Sequence, residues 1–367
     1  MKVNRLKVKT KNGKYSILIG TNLSNNISKI LKNNLIKFNK CFLLIDNKIN
    51  KRIIKKMLNS INQKKIIYKF NSSEKNKNIK SVLKILNLLQ TNNFNRNDCL
   101  ITVGGGITGD TGGFVASLYK RGLKFINIPT TLLAQVDSSI GGKTGVNTRY
   151  GKNLIGTFYQ PNLVLADMIF LNTLPKREII CGYAEILKHS LISKKKLFKY
   201  LDKNVKKILS LKSPFIEKTI FESCKIKREI VEKDEGEKNL RKTLNFGHTF
   251  AHAYEATMGY SKKLNHGEAV ILGIYSALSF SLKNKFMNFS DFNLIVEHLK
   301  KAGLSYNVKK YFSKINIKKI VSYMQNDKKN DSKKINLVLL NKIGVIDLNN
   351  KFSYKQIQLF FNKSLMN

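Results

Sequence analysis

The stretch GGGITGD, Gly104 to Asp110, holds the spacing G-x-G-x-x-G. Such a turn lets backbone approach a pyrophosphate and aims a helix N-terminus at it, provided that a strand precedes it and a helix follows. CLITV, Cys99 to Val103, reads as the strand and GGFVASLYK as the helix. The position is unusual. An ordinary dinucleotide fold carries this turn on its first strand, with an acidic ribose partner about 20 residues later, whereas here the available acid, Asp46, lies upstream at the end of CFLLID. The turn therefore reads either as a nucleotide cradle or as a tight connection packing a helix against a sheet. GGKT, Gly141 to Thr144, looks like a second phosphate loop, but Asp137 stands where a P-loop needs its first glycine, which excludes an ATPase of that type.

Histidine is scarce, yet three of the five, His248, His252 and His266, fall within nineteen residues. Placed on one helix, Arg241, Asn245, His248 and His252 would share about 60° of arc, with Phe250, Tyr254 and Met258 on the far side. Histidines four apart could share a metal, and His266, ahead of GEAV, could add a ligand from a helix start. Glu185 in GYAEILKH could complete a two-histidine, one-carboxylate set with a coordination position left open. It could equally form a helical ion pair with Lys188, and spacing alone leaves both open.

These residues must be held by two kinds of scaffold. CFLLID, KKIIYKF, CLITV and KFINIP alternate with helical patterns such as SVLKILNLLQ, which predicts a parallel α/β sheet for residues 1–175. Beyond Leu174-Pro175 long helical patterns dominate, so 176–367 is expected to be a mainly α-helical domain, with INLVLL as a late strand or hairpin arm. No apolar run approaches the roughly 18 residues that cross a bilayer, and the four cysteines show no C-x-x-C spacing. The expectation is a soluble, cytoplasmic protein with no membrane partner. The formal charge of +44 would suit a nucleic-acid partner, but only eight of the 67 basic residues are arginine. The lysines are scattered among asparagines and isoleucines with no basic-aromatic block, so no nucleic acid is expected.

Taken together, GGGITGDTGGFVASLYKRG, IPTTLLAQVDSSIGGKTGVN, GKNLIGTFYQP, GYAEILKH, LNFGHTFAHAYEATMGY, HGEAV and MQNDKK resemble the 3-dehydroquinate synthase family of sugar phosphate cyclases. The resemblance spans roughly residues 70 to 330 and implies a Rossmann-like NAD-binding domain followed by a helical metal- and substrate-binding domain. It makes Gly105, Gly106, Thr108, Gly109 and Asp110 the pyrophosphate loop. Asp46, Glu74, Lys77, Thr130, Thr131, Lys143, Lys152, Phe170 and Thr173 become further cofactor positions. Glu185, His248 and His266 become ligands of Zn2+ or Co2+, with His252 beside the metal rather than on it.

The same resemblance sets Asp137, Lys143, Lys152, Asn153, Lys188, Lys227, Arg241, Asn245 and Lys328 or Lys329 around a phosphorylated keto-acid sugar. Arg121 would reach that substrate across a homodimer interface. Lys152, in a glycine-rich setting, and Arg241, on the polar stripe, read as open positions. The implied reaction turns 3-deoxy-D-arabino-heptulosonate 7-phosphate into 3-dehydroquinate. It runs by NAD-dependent oxidation at carbon 5, β-elimination of phosphate, return of the hydride and aldol closure. Another cyclase or a metal-dependent polyol dehydrogenase on the same scaffold is the alternative, and the crowd of anion-binding cations favours the carboxylated, phosphorylated substrate.

Overall fold

The structure, a computed structural model, describes residues 3–193, 195–325 and 334–366. Lys328 and Lys329 lie outside the described residues. The chain divides into two compact units, Met1–Ile179 with Ile220–Glu235, and Ile180–Thr219 with Gly236–Asn367.

In the first unit, strands β1 (Val3–Thr10), β2 (Gly13–Gly20), β3 (Lys40–Asp46), β4 (Lys64–Phe70), β5 (Cys99–Gly104), β6 (Lys124–Pro129) and β9 (Leu163–Asp167) form one sheet. Its order is β1-β2-β9-β6-β5-β3-β4. Only β1 and β2 pair antiparallel; the other pairings are parallel. β7 (Lys143–Thr148) and β8 (Gly151–Phe158) make a separate hairpin.

Four helices, α1 (Ile27–Asn33), α2 (Lys51–Asn59), α3 (Ile79–Thr91) and α4 (Gly106–Leu118), cover the sheet. Side chains alternate across a strand, and the core shows it. Leu43 and Ile45 join Ile30 and Met57 under α1 and α2, while Phe42 and Leu44 join Val82, Ile85 and Phe114 under α3 and α4. Because both faces are covered, β5 is buried at all six positions and reads as a continuous apolar run. α4 lies close on β5 only because Gly112 has no side chain: a Cβ there would stand 2.1 Å from Thr102 Cγ2.

Strand order reverses between β3, which leads outward to β4, and β5, which leads to β6 and β9. Such a reversal opens a crevice at the carboxyl ends of the two strands, where ligands of doubly wound sheets bind. This accounts for the unusual placement of the glycine turn. Asp46 ends β3, Gly104 ends β5, and the strands are neighbours, with Ile45 opposite Val103.

The second unit is built on most of α5 (Lys176–Ser193), α6 (Lys195–Leu209), α8 (His248–Thr257), α9 (His266–Lys283), α10 (Phe289–Lys301), α11 (Ile317–Gln325) and α12 (Tyr354–Met366), whereas α7 (Phe215–Lys233) belongs to the first unit from Ile220 onward. The division between units falls within α5 and α7. A hairpin of β10 (Ile335–Lys342) and β11 (Val345–Phe352) contains the late INLVLL run.

A buried polar chain ties three helices of this unit. The fully buried His298 on α10 meets the Tyr183 hydroxyl of α5 at 2.9 Å and Asp202 Oδ1 of α6 at 3.1 Å, and Lys301 pairs with the other Asp202 oxygen. Among the described residues, no helix is long and apolar enough to cross a membrane.

One local expectation fails. Residues 241 to 258 are not one helix, because Leu240–Asn245 forms a 3-10 turn and Gly247, at φ 76°, adopts a left-handed conformation before α8 begins at His248. The calculated stripe therefore holds for His248 and His252, while Arg241 and Asn245 precede the break.

Candidate active site

In the sheet unit, the residues expected around the cofactor follow the carboxyl ends of β3, β4, β5, β6 and β9 or lie on the β7–β8 hairpin. Gly105 caps α4, so the first turn of that helix is Gly106, Ile107, Thr108 and Gly109. Thr108 Oγ1 is buried and lacks a hydrogen-bond partner among the described residues. Thr130 N donates to Gly104 O, and Thr131 Oγ1 accepts from Ala134 N. The glycine turn, the helix N-terminus and the spare hydroxyl fit the pyrophosphate of a dinucleotide.

Lys77, 5% exposed, donates to Asp110 Oδ2 at 2.6 Å and Asn153 Oδ1 at 2.5 Å. Burial raises the Asp110 pKa above its ordinary value, and Lys77 opposes that rise. Glu74 accepts from Asn147 at 2.7 Å and stands 3.4 Å from Lys152 Nζ. Asp46 accepts from Lys48 N at the rim of β3, and burial raises its pKa too.

Asp137 sits in a π-helical turn, Ala134–Ser138, of the kind that re-aims side chains at functional sites. Lys227 Nζ donates to its Oδ1 at 2.6 Å and its carbonyl at 2.7 Å. Lys143 opens β7 and is exposed, as is Arg121 on the turn after α4. Phe170 is buried in the hydrophobic core, so a ligand contact from its turn falls to backbone and to the exposed Thr173.

The helical unit holds a second constellation. Glu185, His248 and His266 come from α5, α8 and α9, and their ligand atoms all lie within 4.8 Å of one another. Glu185 is 1% exposed, and its Oε1 stands 3.5 Å from His248 Nε2 and 3.7 Å from His266 Nε2. Two donors on one tetrahedral zinc are separated by about 3.3 Å when the bonds are about 2.0 to 2.1 Å. Neither Glu185 oxygen makes a hydrogen bond of good geometry, although the Lys188 ammonium sits against Oε2 as an ion pair. Lys188 thus neutralises one Glu185 oxygen while the other faces the imidazoles, so the ion pair leaves that oxygen available as a ligand. The donor set fits a divalent metal.

Sequence explains why these three meet. Asn265 and Glu268 form a reciprocal capping box that starts α9 with His266 as its first residue. Gly267 follows, and a Cβ there would stand 2.2 Å from Cys181 Cα. That close approach presses the first turn of α9 onto α5 one turn before Glu185, with the Cys181 sulfur accepting from Gly267 N at 3.2 Å. The His248 ring stands 5.3 Å from that of His252 and 5.7 Å from that of His266. His252 thus neighbours the cluster without supplying a ligand atom to it, against the direct ligation that i,i+4 spacing suggests.

Burial would raise the Glu185 pKa, but Lys188 and the two imidazoles outweigh it and hold the carboxyl well below its ordinary value. Burial and Lys188 keep His248 well below 6.5. Burial also opposes charge on His266, yet the neighbouring carboxylates of Glu185 and Glu255 push its pKa up to about 10.

Arg241 is 2% exposed, not the open position expected, whereas Lys152 is partly exposed. Asn245 donates to Glu237 at 3.1 Å. Sequence reasoning missed Glu255 and Cys181. Glu255 had a usable signal, since it lies seven residues after His248 and so on the same helix face. Cys181 had none, because its contact depends on how two distant helices pack.

Comparison with known proteins agrees along almost the whole chain. Residues 67–181 match the family model described as 3-dehydroquinate synthase N-terminal, and residues 182–330 match its C-terminal counterpart. A 3-dehydroquinate synthase of Pelagibacter ubique (strain HTCC1062) is 59% identical over 362 residues, 98% of either chain. Among solved structures, a 2-deoxy-scyllo-inosose synthase complexed with carbaglucose-6-phosphate, NAD+ and Co2+ superposes with a TM-score of 0.89 at 22% identity. That match covers 98% of this chain and 100% of the other. A 2-epi-5-epi-valiolone synthase from Streptomyces hygroscopicus subsp. jinggangensis 5008, with NAD+ and Zn2+ bound, gives 0.85 at 21% identity over 99% of each chain. At those identities the structures speak to the fold.

Proposed function

Since this chain belongs to the 3-dehydroquinate synthase family, we propose that it converts 3-deoxy-D-arabino-heptulosonate 7-phosphate to 3-dehydroquinate and phosphate. The protein acts as a carbon-oxygen lyase in the shikimate pathway of aromatic biosynthesis, as a cytoplasmic homodimer. The observation that carries this reading is the Glu185, His248 and His266 cluster, a three-ligand set of the kind that leaves a position for substrate. Residues 1–175 supply the NAD site together with Asp137, Lys143, Lys152 and Asn153 for the substrate, and 176–367 the metal ligands and the remaining substrate residues.

When bound, NAD held at the glycine turn would supply a hydride acceptor and donor for carbon 5, and zinc held by Glu185, His248 and His266 would supply Lewis acidity toward the alcohol oxygen. The chain's own residues handle charge and position. A carboxylate and a phosphate need cationic partners, which Lys143, Lys152, Lys188, Lys227 and Arg241 provide, joined by Arg121 of the second copy. Asn153 and Asn245 add neutral donors. Asp137 fixes Lys227 through two short hydrogen bonds, so the ammonium is oriented before substrate arrives. His252, next to His248, stands ready to exchange a proton with the substrate. A ketone at carbon 5 would acidify the neighbouring proton, so that phosphate can leave by β-elimination with that proton passing to a base such as His252 or to the departing phosphate itself.

The decisive experiment follows phosphate, substrate and NADH together. Substoichiometric NAD should support many turnovers, with phosphate released in step with substrate loss and no lasting NADH absorbance. Stoichiometric NADH, or phosphate kept on the product, would show a polyol dehydrogenase instead.

A further inference from the structure

We propose that Glu255 is a positioning residue for the metal centre, holding His266 in the orientation and tautomer that present Nε2 to the ion. This rests on the metal reading of Glu185, His248 and His266. Glu255 lies on α8 two turns beyond His248, and its Oε2 is 3.2 Å from His266 Nδ1 on α9. The opposite ring nitrogen, Nε2, then faces Glu185 Oε1. His248 follows the same rule with a weaker partner, its Nδ1 lying 3.3 Å from Phe246 O. Each imidazole thus has an oxygen acceptor at Nδ1, which places the proton there and leaves the Nε2 lone pair for the metal.

The two histidines differ in how far packing alone can hold them. The His248 side chain is 11% exposed, whereas that of His266 is 33% exposed at the first residue of its helix. Packing fixes the first; the second needs a tether. Glu255 is itself only 6% exposed, a costly place for a carboxylate unless it is satisfied. A carboxylate on Nδ1 orients the ring more firmly than a carbonyl does and makes Nε2 a stronger donor.

The test measures Zn2+ affinity of the full-length protein by competition with a chromophoric chelator, and the visible spectrum after Co2+ loading. Glu255→Ala should weaken Zn2+ by about tenfold to a hundredfold and alter the Co2+ bands. Glu255→Gln, which keeps an acceptor, should recover most of the affinity. In a His266→Ala background, Glu255→Ala should cause no further loss, because its effect runs through His266. Native affinity and spectrum in Glu255→Ala, or an equal loss in both backgrounds, would overturn the proposal. Should Glu255→Ala fail to fold, Glu255→Asp takes its place: a carboxylate drawn back by one methylene should weaken Zn2+, and unchanged binding would count against the tether. If the native protein takes up neither Zn2+ nor Co2+, it is the metal reading that fails.

Discussion

In the sheet unit, Lys77, Asp110 and Asn153 meet through side chains from a loop, the first turns of a helix and an exposed hairpin. In the helical unit, Glu185, His248 and His266 stand on α5, α8 and α9, of which α5 and α9 are pressed together at Gly267 and Cys181. The first constellation rests in part on a loop residue, Lys77, and an exposed hairpin residue, Asn153, which leaves it more room to adjust to what it binds. The second is fixed by packing, so its geometry is inseparable from the fold of that unit. Substitutions should therefore separate the two: at the helical centre chemistry and stability are sensitive to small changes, whereas at the loop cluster chemistry should change alone.

The largest effect is expected from His266→Ala or Glu185→Ala, which remove one of three ligands. Bound metal and kcat/KM should fall together, the latter by about a thousandfold or more, roughly 4 kcal/mol of transition-state stabilisation. Metal analysis beside steady-state kinetics checks it, and a variant that kept one zinc and normal turnover would remove these residues from the centre. Next comes Gly267→Val. A side chain where a Cβ already comes within 2.2 Å of Cys181 Cα must push α9 off α5, at a cost of about 3 kcal/mol or more. Denaturant unfolding reads the cost, and metal affinity should fall with it.

Lys152→Ala probes the loop cluster. It should lower kcat/KM by about tenfold, or 1.4 kcal/mol, with an unchanged melting temperature, since the lysine is partly exposed. A melting temperature that fell with activity would make Lys152 structural.

The smallest effect concerns pH. Burial holds the His298 imidazole below its ordinary value of 6.5. The unfolded chain therefore takes up the proton first, and stability is lost as pH drops below about 6.5 until the folded form also protonates. Asp202, held below 3.8 by His298 and Lys301 despite burial, adds a second loss in stronger acid. Melting temperatures at pH 7.5 and 5.5 should differ by less in His298→Gln than in the native protein. An identical difference would discharge His298 from this role.

The same contrast governs what could be read from sequence. Parallel strands covered on both faces announce themselves, as CLITV and CFLLID do, because continuous apolar runs have few other uses. The β1–β2 and β7–β8 hairpins were not foreseen, since the first alternates only Leu6 and Val8 among lysines and the second is rich in glycine and asparagine. Histidines stood out by rarity, but the stripe drawn through Arg241 and Asn245 ignored Gly247, where the chain turns left-handed against α9. Lys77 and Glu74 carried no local signal and came from resemblance alone. Their partners are supplied by segments far away in sequence, and no periodicity encodes such a meeting.

The three donors of the helical centre also span a long stretch of chain, Glu185 standing more than sixty residues before His248. In the unfolded polymer, bringing such distant points together costs entropy that grows only as the logarithm of the intervening length. An ion held by all three acts as a removable crosslink that the unfolded chain forms poorly. At a hundredfold excess over its dissociation constant such an ion contributes about 2.7 kcal/mol to stability. Supply of one trace element would then set the lifetime of the folded helical unit as well as its rate.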